Sequence, residues 1–134
     1  MNKTREMLDA SRANLSVGAE ELAAAIDACL ACVQACTSCA DSDLLEPDVA
    51  TLNVCVALNH ICGDICDTTA RVLSRPGHWD RRLTPVLIEA CVAACTACAE
   101  ECARHAEHHR HCAICADVCR ECIRACEALA AGAL

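Results

Sequence analysis

Apolar and small residues recur every three to four positions over four long stretches, and polar residues fill the faces between them. That is the period of helices packed along one side. Residues 19–40 contain neither Pro nor Gly and are predicted as one helix. "DSDLLEP" (41–47) is expected to be a connector, with Pro47 suited to the first turn of a second helix over about 48–74. "RPGH" (75–78) ends that helix. Thr84 and Pro85 read as the N-cap and first residue of a third helix running to about Glu107. "HHRH" (108–111) reads as the next turn, and a fourth helix continues to about Ala131, with Gly132 as its stop. Ahead of these, Met7, Leu8 and Leu15 mark a short amphipathic helix over about 3–15, and Gly18 loosens the chain. Four long helices with short connections predict an all-α, antiparallel four-helix bundle over about 18–131, carrying a short extra N-terminal helix. Residues 1–134 then form a single Cys-rich domain.

Composition asks what fills such a bundle. The 134 residues are 55% hydrophobic when Cys is counted, yet they include one Trp and no Phe or Tyr. Sixteen Cys take the place of the usual large core residues. The net charge of −8 reads as solvated helix faces that keep the chain soluble. Without a basic stripe, nucleic acid is not an expected partner. No run of about 18 apolar residues is seen, so no membrane span is expected. The start, "MNKTREMLDASRANLSVGAEE", has no apolar h-region and no twin arginine, which points to a cytoplasmic home. In that reducing compartment, stable disulfides are rare.

The thiols are not scattered. At about 100° per residue, Cys29, Cys32, Cys36 and Cys39 fall within about 80° of arc. Cys55, Cys62 and Cys66 fall within about 40°, with Asn59 in the skipped turn. Cys91, Cys95, Cys98 and Cys102 span about 60°, and Cys112, Cys115, Cys119, Cys122 and Cys126 about 80°. Such narrow stripes mark the buried seam of a bundle, so all the thiols converge on one axis. Leu22, Ile26, Leu30 and Val33, then Leu52, Val56, Leu58, Ile61 and Ile65, flank the stripes and seal the bundle or leave apolar surface for partner chains.

Several chemistries compete for these sulfurs. One or two buried Cys are ordinary small hydrophobes, but a stripe on each of the four long helices is not chance. Regular helix geometry suits disulfides poorly. Zinc prefers separate Cys₄ sites, whereas this ladder does not divide into obvious quartets, and each ZnCys₄ centre would leave about two negative charges in the core. "CVAACTAC" (91–98) has the C-x₃-C-x₂-C spacing of radical S-adenosylmethionine enzymes, but in a chain too short for their barrel; the bacterial ferredoxin run is missing. A soft monovalent ion fits better. Thiolates select Cu(I). C-x₂-C and C-x₃-C pairs supply the two or three sulfurs it needs, and one Cu(I) per thiolate is neutral in charge. A zinc or mixed soft-metal sink and an iron–sulfur or thiol redox protein remain as rivals. No nucleophile with its base is apparent, so an enzyme is not expected.

"CLACVQACTSC", "CVALNHICGDIC", "CVAACTACAEEC" and "CAICADVCRECIRAC" together resemble the bacterial copper storage proteins, Cys-lined four-helix bundles, and among them the cytosolic branch. The resemblance covers about 18–131. It implies a homotetramer, many Cu(I) ions per chain bound by the sixteen Cys, and storage or buffering of copper within metal homeostasis. The implied partners are copper ions and a copper chaperone or low-molecular-weight thiols. Asn59, standing where a regular ladder would have Cys, implies fewer ions on the second helix.

The His residues suggest a way in. His105, His108, His109 and His111 gather at one turn. His105 and His109 continue the Cys102 face by three and seven residues, and His111 adjoins Cys112. In an antiparallel bundle Cys39 and Cys55 lie at the same end, which reads as a mouth where metal passes from imidazole to thiolate; a solvated turn is the alternative. His60 and Asp64, four apart, are candidate auxiliary ligands beside Cys62 or else a surface pair. His78 and Trp79 read as loop packing at the opposite end.

Overall fold

The computed structural model describes residues 2–132, and helices supply all the regular structure among them. Five α-helices follow in order: α1 (Lys3–Ala10), α2 (Ala19–Leu45), α3 (Asn53–Leu73), α4 (Leu83–His105) and α5 (Arg110–Ala130). Short 3₁₀ turns at Val49–Leu52 and Pro76–His78 lie in the connections flanking α3. α2 packs on α3 and α5, and α4 packs on the same two, which closes a ring of four antiparallel helices. α1 lies outside the ring against α2.

The helix limits differ from the sequence reading where a local interaction decides them. α1 starts with the Asn2 side chain accepting from the Arg5 N–H at 2.9 Å. It stops at Ala10, well before residue 15, because Ser11 turns extended and its hydroxyl accepts the Ala13 N–H at 3.1 Å. Asn2 and Thr4 then tie α1 to the Asp27 carboxylate of α2. α2 continues through most of the expected connector to Leu45. It ends at Glu46, which the ring of Pro47 forces into extended backbone with ψ 144°. Pro47 consequently opens no α-helix; a 3₁₀ turn intervenes before α3.

The start of α4 is also reassigned. Asp80 accepts N–H groups from Arg82 at 2.9 Å and Leu83 at 2.8 Å, so it does the capping expected of Thr84. Thr84 is buried within the first turn instead, and Pro85 follows it, where a missing N–H leaves no intrahelical bond unmade. The turn between α4 and α5 falls at 106–109, and Arg110 and His111 already belong to α5. Trp79 packs as loop: its indole N–H donates to the Val72 carbonyl at 3.0 Å.

By length and composition, α3 with its leading turn (Val49–Leu73), α2 and α4 could each cross a membrane, so the expectation of no such segment needs amending. Their apolar character comes largely from Cys and Ala, and the Cys faces turn inward on one another. Buried Ala25, Ala35, Ala40, Ala70, Ala94, Ala99 and Ala116 lie beside these stripes. Such small side chains let helix axes approach closely, which brings sulfurs from different helices into contact.

The two ends of the ring are unlike. Where α2 and α4 begin and α3 and α5 finish, Val17, Leu22, Leu73, Ile88 and Leu129 fill the space in an apolar plug. Leu8 and Ile26 add to the same cluster. The other end carries acidic and imidazole groups. Because Cys supplies little volume, the plug carries a large share of the aliphatic packing. Leu129→Ala is expected to destabilise the metal-free protein by about 2–5 kcal/mol in urea unfolding followed by circular dichroism.

Candidate metal centre

All sixteen Cys are buried and none is paired in a disulfide. Their sulfurs form one continuous column. At the plugged end Cys29 contacts Cys91 at 3.9 Å and Cys122 at 3.7 Å, and Cys126 completes a quartet with these three. Cys66 lies 3.8 Å from Cys91 and 3.5 Å from Cys95. Cys32, midway, touches Cys62 at 3.7 Å, Cys119 at 3.6 Å and Cys36 at 3.8 Å. Cys36 in turn meets Cys98 and Cys115, each at 3.9 Å.

Adjacent quartets share members. Cys122 belongs both to the quartet of Cys29, Cys91 and Cys126 and to that of Cys32, Cys66 and Cys95. Cys32, Cys36 and Cys119 are shared in the same way farther along. Isolated four-sulfur sites would each need sulfurs of their own. A column of shared sulfurs suits ions that are bridged.

Asn59 occupies the gap in the α3 stripe, buried and turned into the column. Its carbonyl accepts from the thiols of Cys98 and Cys115, both at 3.2 Å, and more distantly from Cys102 at 3.8 Å. Its amide N–H donates to Cys55 at 3.5 Å. A lone buried amide would be costly; here each end has sulfur partners. The residue that broke the pattern therefore cross-links three helices around one layer.

Beyond Asn59 the column opens toward the α4–α5 turn. Cys55 contacts Cys102 at 3.7 Å, and Cys39 contacts Cys112 at 3.9 Å. The Cys102 contact lowers the Cys55 thiol, but contacts with Cys39 and Asp43 together with burial outweigh it and push the thiol up. His111 faces this layer with Nδ1, 3.4 Å from Cys39 Sγ and 3.6 Å from Cys112 Sγ. Its Nε2 lies 3.4 Å from the Glu46 carboxylate. Nδ1 also lies 3.5 Å from Asp43 Oδ1, so a carboxylate faces each ring nitrogen; with the proton on Nε2 toward Glu46, the Nδ1 lone pair is open to the sulfur layer.

The other candidates are placed differently. His109 is buried, but its partners are Glu46 at 3.2 Å and Asp48 at 3.0 Å, with its ring stacked on His111 at 5.5 Å. α4 ends at His105, so His109 cannot continue the Cys102 face. His105 bonds Glu101 at 2.9 Å and not a thiol. His108 is exposed. His60 and Asp64 are exposed on the outer face of α3 and cannot serve as auxiliary ligands beside Cys62, because the helix turns them away from the buried stripe. Of the five auxiliary candidates, His111 alone has a sulfur contact among the described residues.

Asp43 was missed, hidden in the expected connector. It is fully buried, and one carboxylate oxygen has no hydrogen-bond partner. The signal was available: Asp43 follows Cys39 by four and continues the α2 stripe one turn further.

Burial opposes charge on the column thiols, while contacts between sulfurs act in both directions: contacts with neighbouring thiols hold Cys32 and Cys98 down. Cys36 and Cys102 are pushed up, first by hydrogen bonding to Cys115 and other thiols and then by burial. At the mouth, burial raises Cys112, helped by the charges that Cys39 and Asp43 can carry. Burial raises the Asp43 carboxyl in the same way. Burial opposes charge on His111, yet contacts with Cys39, Glu46 and Asp43 outweigh it and its pKa is raised. Asp48 is lowered by its bond to His109.

Comparison with known proteins agrees with this geometry. A family profile described as copper storage protein matches residues 18–131. The copper storage protein Ccsp from Streptomyces lividans, loaded with 10 copper equivalents, superposes with a TM-score of 0.94 at 45% identity, covering 97% of this chain and 99% of that one. A cytosolic copper storage protein from Streptomyces lividans, with five coppers, gives 0.82 at 48% identity over 84% of this chain and 93% of that one. Cu(I)-bound BsCsp3 gives 0.71 at 31% identity, covering 80% and 95%. No curated protein sequence matches. The profile spans most of a chain whose buried column of thiols is its dominant feature, and the chain belongs to the copper storage protein family.

Proposed function

We propose that this chain stores Cu(I) in the cytoplasm, with the sixteen Cys as ligands and many ions per chain. The observation that carries the reading is the column of buried, unpaired thiols in which neighbouring quartets share sulfurs. A thiolate on a soft monovalent ion forms a neutral unit. Such units can be stacked in a water-poor core, where uncompensated thiolates would be expensive. A zinc sink fits this sharing less well, since closed zinc sites want four sulfurs each. Relatives that hold five and ten coppers support the copper reading, and a relative described as cytosolic supports the location. The role is storage and not catalysis: the thiols are ligands, and the family is one of storage proteins.

Copper enters at the acidic, imidazole-bearing end. His111 receives the ion with Nδ1 and passes it to Cys39 and Cys112, both within 3.6 Å of that nitrogen. Cys55 and Cys102 form the next layer, and the Asn59 layer leads to the deeper quartets. The donor is a copper chaperone or a complex with a low-molecular-weight thiol. Exposed Leu30, Val54, Ile61, Val86 and Ile114 supply apolar surface for assembly into a homotetramer.

Anaerobic titration of the reduced protein with Cu(I), against a competing chelator, is expected to reach a number of ions near the sixteen Cys; saturation at about four ions would favour separate zinc-type centres. Loading should release protons, because a thiol must lose its proton to bind metal, so acid pH opposes loading. A pH-stat titration in weak buffer measures this, and loading without proton release would contradict it. His111→Ala is expected to slow both loading and chelator-driven removal, with His105→Ala having a smaller effect. Unchanged stopped-flow rates in His111→Ala would reject the proposed route.

A further inference from the structure

Charge neutrality inside the column has a second solution. One thiolate on a monovalent ion is neutral, and so are three thiolates on a trivalent centre. Four thiolates on a divalent ion, as in a four-sulfur zinc centre, are not.

A trivalent cargo needs three sulfurs that touch one another, and the column supplies them midway along its length. Cys62 and Cys66 stand one turn apart on α3 with their sulfurs 3.9 Å apart. From α4, Cys95 Sγ reaches both, at 3.7 Å to Cys62 and 3.5 Å to Cys66. Cys32 of α2 closes a second triangle on the shared Cys62–Cys95 edge, at 3.7 Å and 4.0 Å. All four residues are fully buried and free of disulfides. Among the described residues, the hydrogen-bonding neighbours of these four sulfurs are other sulfurs.

The donor set decides the class of centre. Hard cations take oxygen ligands, and none is offered here. Thiolates select soft centres. Trivalent arsenic and antimony are soft, and a lone pair leaves each with three ligands at the base of a pyramid, the shape of a sulfur triangle. Both arrive as uncharged trihydroxides at neutral pH, so no charge has to enter the water-poor core.

We propose that the column takes a second class of cargo, the trivalent oxyacids of arsenic and antimony, and that the triangle of Cys62, Cys66 and Cys95 captures the first equivalent. For arsenic, three As–O bonds of As(OH)₃ break and three As–S bonds form. Each thiol proton leaves with one hydroxide as water, three waters in all. Arsenic stays trivalent, so neither oxidant nor reductant is needed, and the product As(S–Cys)₃ is neutral. The proposal needs only reduced thiols in this arrangement and does not rest on copper being the stored ion.

Reduced, copper-free protein titrated anaerobically with arsenite in excess glutathione tests it. The first equivalent is expected to stay on the chain in native mass spectrometry. Arsenic K-edge absorption should then show three As–S bonds and no As–O bond, a sulfur count made on the unaltered protein and independent of any variant. Cys95→Ser removes the edge shared by both triangles and should release the first equivalent to glutathione. Cys66→Ser leaves the triangle of Cys32, Cys62 and Cys95 and should weaken retention less. Cys126→Ser, in the quartet at the plugged end, should weaken it least. Far-ultraviolet circular dichroism checks that the variants fold. Bound arsenic that keeps an As–O bond, a first equivalent lost as readily in Cys126→Ser as in Cys95→Ser, or no arsenic retained by the unaltered protein would overturn the proposal.

Discussion

The structure is governed by the cost of charge in a place that water does not reach. Sixteen sulfurs face one axis between four helices, where a thiolate left alone would be strongly disfavoured. While the column is metal-free, burial holds protons on its thiols, and sulfur-to-sulfur contacts share them out, raising Cys36, Cys102 and Cys126 while lowering Cys32 and Cys98. When metal replaces protons, the exchange must leave the axis close to neutral. A singly charged, sulfur-seeking ion meets that condition at every position along the column. The physics that lets the helices close around thiols therefore also selects what can replace the protons.

The ends of the ring divide the remaining work. Val17, Leu22, Leu73, Ile88 and Leu129 close one end with ordinary aliphatic packing, which a core of Cys and Ala cannot provide by itself. The other end trades aliphatic packing for chemistry. His111 reaches inward and is oriented from behind by Glu46, while His109 sits between Glu46 and Asp48 and stacks on His111. One imidazole thus contacts the sulfurs and its neighbour helps to hold it. Asn59 separates the mouth layers from the deeper quartets and satisfies its amide wholly with sulfur. It replaces a ligand with a brace.

How legible this was depended on whether the deciding interaction was local. The Cys stripes and the four bundle helices follow from helical periodicity, which neighbours three and four positions apart impose without help from the rest of the chain. The helix limits follow less well. Ala10 ends α1 because of the Ser11 turn, Asp80 in place of Thr84 caps α4, and α2 overruns its expected end until Pro47 intervenes. The imidazoles were the least legible. A cluster in sequence gave His105, His109 and His111 the same apparent claim on the metal, and a single turn at 106–109 left only His111 against the sulfurs.

From its sequence alone this protein was determined to be a ring of helices with its thiols inside, since a stripe of apolar residues with a 3.6-residue period can be buried in few other ways. The choice of soft monovalent ion followed from sulfur chemistry and charge, which need no coordinates. Tertiary structure decided which sulfurs are shared between quartets, that Asn59 meets sulfurs of three helices, that His60 and Asp64 lie on the outer face, and that Asp43 joins the mouth. Those outcomes depend on distances of a few tenths of an ångström between atoms on different helices, set by the relative rotation and approach of the helices, and no spacing along one chain segment encodes them.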